Sequence, residues 1–65
     1  MSERDFSVQI NLKASFSHLA QAIYYIENAY NITDDEMLAS ALMIMHNEIS
    51  VQAKTIDQIQ EELNG

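Results

Sequence analysis

The stretch Phe6-Ser7-Val8-Gln9-Ile10-Asn11-Leu12-Lys13 alternates apolar and polar residues without a break. In an extended chain Phe6, Val8, Ile10 and Leu12 fall on one side, and Ser7, Gln9, Asn11 and Lys13 on the other. A period of two is the pattern of a half-buried strand. A strand needs partners for its backbone N–H and C=O groups, and no second alternating run occurs. The expectation is therefore a strand paired with its copy in a second molecule.

Size points the same way. A chain of 65 residues makes one small domain, which buries too little surface to stand easily alone. It has no cysteine, so neither disulfides nor thiolate metal sites can brace it, and oligomerisation is the remaining device. Residues 1–5 are mostly charged and no long apolar stretch follows, so no secretory leader is expected. The longest purely apolar run, Ala41 to Met45, is far too short to span a bilayer. The cytoplasm is the expected compartment.

The rest of the chain reads as helix. Ser15 or Ser17 can cap a first helix, in which Phe16, Leu19, Ile23, Ile26 and Tyr30 form one apolar stripe. Asn31, which tolerates the left-handed conformation, is its expected end. Thr33-Asp34-Asp35-Glu36 has the spacing of a capping box, with Ile32 and Met37 placed as its hydrophobic staple. Beyond it Leu42, Ile49, Ile56 and Leu63 recur every seven residues. Leu38, Met45, Gln52 and Ile59 make the interleaved series, so one long helix with a narrow seam is expected.

Strand, helix, capped turn and helix in about 50 residues resembles the ribbon-helix-helix family. Gln9, Asn11 and Lys13 follow the Gln-x-Asn-x-basic pattern of Arc-type repressors, and Ile10-Asn11-Leu12-Lys13 looks like the opening of RelB-type antitoxins. The resemblance implies a mainly α, β-α-α chain: an intertwined homodimer with an intermolecular two-stranded antiparallel ribbon and a long second helix. Residues 1–50 would be the dimerisation and DNA-binding domain, with Phe6, Val8, Ile10, Leu12, Leu38, Leu42, Met45 and Ile49 as its core. The ribbon would enter the major groove of a double-stranded operator. Gln9, Asn11 and Lys13 would read bases, with Arg4 and Ser7 beside them. Gln and Asn amides can bond adenine bidentately, and Lys can reach guanine.

Charge opens a second reading. The formal net charge is −7. Residues 1–26 balance to zero, whereas residues 27–65 hold eight acids and only Lys54 as a base. Phosphate neutralisation by Lys and Arg supplies most non-specific DNA affinity, and such residues are few here. The alternative is thus an acidic dimer that binds and inhibits a protein partner without binding DNA. Residues 51–65 would be an acidic helical extension. Its Ile56, Ile59 and Leu63 would meet a basic toxin if the chain is a DNA-binding antitoxin, or a basic host factor in the second reading. A third reading is a plain helical hairpin with a disordered N-terminal segment.

Nothing resembles a nucleophile with its base or a carboxylate pair set in a pocket, so no enzyme is expected. His18 and His46 lie far apart with no neighbouring His or Cys, so neither a metal nor a cofactor is expected. Met37, Met43 and Met45 read as core fillers, or as flexible contacts for a partner.

Overall fold

In the computed structural model, which describes residues 2–64, the chain is two long helices joined by a three-residue turn. Helix α1 spans Glu3–Ile32 and helix α2 spans Glu36–Asn64. They run antiparallel as a rod extending 50 × 14 × 12 Å. The described residues contain no strand. The expected ribbon-helix-helix architecture is therefore overturned: residues 6–13 are the second and third turns of a helix.

Two features explain this. No Pro or Gly lies between residues 2 and 64, so nothing interrupts helical hydrogen bonding. The helix also has its own start, well ahead of Ser15 and Ser17. The Ser2 hydroxyl accepts from the Asp5 N–H at 3.1 Å, and the Ser2 carbonyl accepts from the Phe6 N–H at 3.0 Å. Glu3 and Asp5 place negative charge at the positive end of the helix dipole. A strand here would wait for a second chain to satisfy its backbone, whereas a helix satisfies it at once.

The turn also differs from its expected form. Helix α1 passes through Asn31 and ends when the Thr33 N–H donates to the Ala29 carbonyl at 3.0 Å. Thr33 is extended (φ −71°, ψ 141°), and no described residue has positive φ. The cap of α2 is Asp35: its carboxylate accepts from the Leu38 N–H at 3.0 Å. The Thr33 hydroxyl accepts instead from the Asp35 N–H at 3.1 Å, holding the turn that presents that carboxylate.

The helices meet along a heptad seam. On α1 it runs Asp5, Gln9, Leu12, Phe16, Leu19, Ile23, Ile26 and Tyr30, with spacings of four and three in alternation. On α2 it runs Ala39, Leu42, His46, Ile49, Ala53, Ile56, Gln60 and Leu63. The expected series Leu42, Ile49, Ile56 and Leu63 is thus in the seam. Its interleaved partners are Ala39, His46, Ala53 and Gln60, one residue along from the series expected. Leu38, Met45, Gln52 and Ile59 stay exposed on the flank. Phe6, Val8 and Ile10, expected in a dimer core, are exposed along α1, and of the apolar residues in 6–13 Leu12 alone enters the seam.

No described residue is fully buried. A single layer of two helices gives each helix one neighbour, so every seam residue keeps a solvent side. Replacing Asp35 by Ala should cost about 1 kcal/mol through loss of the cap. Leu19→Ala should cost about 1–2 kcal/mol, since its seam position is only half-buried. Ile32→Ala, at the outer edge of the turn, should change little. Thermal melts followed by circular dichroism check all three.

Candidate functional site

The residues expected to read DNA do not converge. Gln9 is a half-buried seam residue whose Nε2 donates to Asn64 Oδ1 at 2.6 Å. The Asn11 side chain turns back on its own helix, its Nδ2 donating to the Ser7 carbonyl at 2.9 Å. Arg4, Ser7 and Lys13 are exposed on different sides of α1. A two-residue spacing lines side chains up on a strand, but places them about 200° apart on a helix. The expected tail is not a separate element either. Helix α2 continues unbroken to Asn64, Ile56 and Leu63 are half-buried against α1, and only Ile59 lies outside the seam.

What the structure presents instead is a set of longitudinal faces. One edge is marked by His46 Nε2, 2.9 Å from Glu27 Oε1. In the tautomer with Nε2 protonated, His46 donates to the carboxylate. An open hollow on this edge is lined by Glu27, Tyr30, Met43 and His46 above Ile26 and Leu42. Heptad repetition puts Phe6, Lys13, Ala20 and Glu27 here, together with Glu36, Met43, Ser50 and Asp57. It is a charged edge.

The opposite edge is different. A groove there is lined by Ser15, His18, Gln52 and Thr55, with Leu19 and Ile56 of the seam as its floor. By the same repetition Val8, Ser15, Ala22 and Ala29 lie along it on α1, and Leu38, Met45, Gln52 and Ile59 on α2. None of these eight residues is charged.

A third face lies on α2 directly away from α1. Met37, Ile44 and Val51 follow one another at intervals of seven and are 84 %, 58 % and 63 % exposed. Shallow grooves beside them are bounded by Glu36, Ser40 and Ala41 on one stretch, and by Asn47, Glu48 and Gln52 on the next. At the same end of the rod, the Tyr24 and Tyr25 rings meet edge to face at 5.3 Å. The sequence carried a signal for this stripe in the run Met37 to Met45, which is apolar on nearly every side of a helix.

Among the described residues, no group of three His, Cys, Asp or Glu is placed to hold a metal ion. No helix is long and apolar enough to cross a membrane. No protein-family model matches the chain, and no curated protein or solved structure matches it either. The fold defines it as an antiparallel helical hairpin with a large exposed apolar surface.

One seam position is unsatisfied. The Gln60 Nε2 is enclosed and has no hydrogen-bond partner among the described residues. Such a group costs roughly 1–3 kcal/mol. Gln60→Leu restores an apolar heptad position, and should raise Tm by about 4–8 °C per kcal/mol gained. A scan of the purified variant beside the wild type measures the shift.

Proposed function

We propose that this chain is a protein-binding helical hairpin that acts by docking and not by catalysis. The observation that carries this reading is the outward stripe Met37, Ile44 and Val51, exposed on the side of α2 that α1 cannot cover. Such anchors at intervals of seven are how an amphipathic helix lies in an apolar groove of another protein. Methionine adapts its shape to such a groove, and an Ile or Val beside it fixes the fit.

Charge narrows the partner. Glu36 and Glu48 border the stripe, and the chain as a whole carries −7. A groove rimmed by Lys or Arg complements it, and complementary charge raises the encounter rate as well as selecting the partner. This retains from the sequence reading an acidic chain that binds a basic protein, with the binding face moved from the C-terminal tail to the outer stripe. The reading of DNA bases rested on a strand, and its support goes with the strand. No feature of the helical surface replaces it, since Arg4, Lys13 and Lys54 are the only bases and do not cluster.

The test uses a photo-crosslinking residue at position 44 in cells of the source organism. The expected result is a discrete adduct with a basic protein. Purified together, that protein and the hairpin should bind. Ile44→Glu should remove about 2 kcal/mol of apolar burial and so weaken binding more than tenfold, while leaving helicity by circular dichroism unchanged. Duplex DNA titrated by fluorescence anisotropy at low salt should show no binding. DNA binding that weakens on Arg4→Ala or Lys13→Ala would overturn the proposal.

A further inference from the structure

The uncharged edge of the hairpin is a separate surface from the outer stripe, and the inference drawn from it stands whether or not the stripe binds a partner. We infer that this edge is the interface with a second copy of the chain. Two rods would lie face to face as a four-helix bundle, related by a twofold axis along the rod.

Charge makes the first argument. Each copy carries −7, so two copies repel unless their contact avoids carboxylates. The edge that holds Ser15 and Gln52 is the one with no charged residue at any of its eight heptad positions. A basic partner would be served poorly by such a surface, because it offers no counter-charge. A second acidic copy is suited to it.

Shape makes the second. On α1 the middle of this edge is small: Ser15, Ala22 and Ala29 form a trough. On α2 it is large: Leu38, Met45 and Ile59 form a ridge, with Leu38 and Met45 at 50 % and 46 % exposure. A twofold axis along the rod lays α1 of each copy over α2 of the other with their levels preserved. Glu27 beside His46 and Gln9 beside Asn64 fix those levels within one hairpin. Met45 of one copy then enters the trough at Ala29 of the other, Gln52 meets Ala22, and Ile59 meets Ser15. The contact is self-complementary, as a twofold interface must be. A twofold axis across the rod would stack ridge on ridge and trough on trough, overfilling one side of the bundle and leaving voids in the other.

The rim agrees. His18 and Thr55 border the groove, and at matching levels the heptad repeats put His18 opposite Thr55, Asn11 opposite Glu62 and Tyr25 opposite Glu48, so no two carboxylates face each other across the copies. The face is about 50 Å long and 14 Å wide. That is roughly 700 Å² per copy, close to the ~800 Å² per partner of a standard interface. It also covers the open side of the seam, so residues half-buried in one hairpin gain the second neighbour they lack.

Sedimentation equilibrium of the full chain should give twice the monomer mass of 7.4 kDa. Met45→Glu should lose the dimer at concentrations where the wild type keeps it, whether the released hairpin stays helical or melts. Asn47→Glu and Ile44→Glu, which point elsewhere, should remain helical dimers. The chain has no cysteine, so introduced ones report alone. Ser15→Cys mixed with Ile59→Cys should give a mixed disulfide on mild oxidation, in clear excess over the self-linked product of either variant. A helical wild-type monomer would overturn the inference. So would a dimer that survives Met45→Glu, one dissolved by Ile44→Glu, or self-linking of Ser15→Cys that equals the mixed product. Loss of the dimer leaves the adduct at position 44 intact if the outer stripe alone binds the partner, so the two proposals fail separately.

Discussion

Everything in this molecule follows from how little two helices can cover. A helix is enclosed when neighbours flank it on at least two sides, and each helix of a hairpin has one neighbour. The seam is regular for seven turns, yet no described residue is fully buried. Hydrophobic stabilisation scales with the area removed from water, so a half-covered Leu or Ile returns only part of what its burial can provide. Against this stands the ordering of some 60 backbone positions at about 1–2 kcal/mol each. The exposed apolar surface is thus the expected consequence of an architecture one layer thick, and a second layer is its physical remedy.

The seam is further weakened by its own composition. Asp5, Gln9, His46 and Gln60 occupy positions where a coiled coil places aliphatic side chains. Three of them are partly accounted for. Gln9 reaches Asn64, His46 reaches Glu27, and Asp5 lies at the helix start, where its N–H meets Ser2. Polar seam residues give up stability but restrict the helices to the alignment that satisfies them. Glu27 with His46 near the turn and Gln9 with Asn64 at the open end are long-range ties set at the two ends of the rod. A slip by one heptad would break both.

These same features decide what was legible in the sequence. The second helix was readable because its signals are local: Thr33 to Glu36 marks its start, and Leu42, Ile49, Ile56 and Leu63 mark its inner line. Residues 6–13 misled because two periods fit them. Phe6, Val8, Ile10 and Leu12 satisfy a period of two over eight residues. The line through Asp5, Gln9, Leu12 and Phe16 satisfies a heptad, but its first two members are polar and hid it. Only by extending the window to Tyr30 does the heptad become the longer and better pattern. The interleaved series on α2 failed for a related reason. Leu38, Met45 and Ile59 are more apolar than Ala39, His46, Ala53 and Gln60, so hydrophobicity alone selects the wrong inner line. The candidate DNA-reading residues followed the strand and were lost with it, whereas the outer stripe was visible only as a run apolar on nearly every side.

That last failure is informative about the whole surface. A helix that needs one neighbour requires two apolar heptad positions, and a helix in a bundle requires a third beside them. Helix α2 has the third, in Leu38, Met45 and Ile59. It has a fourth in Met37, Ile44 and Val51. A single partner helix explains only the first two. The third is uncharged on both helices and matches itself in shape. The fourth is bordered by Glu36 and Glu48 and has no counterpart on α1, where the corresponding outward positions are Ser7, Ala14, Gln21 and Asn28. One lateral surface is thus built on both helices and the other on α2 alone. A symmetric contact draws on both helices of each copy; a contact with a foreign groove needs only one helix. The distribution of apolar residues separates the two surfaces before any partner is identified.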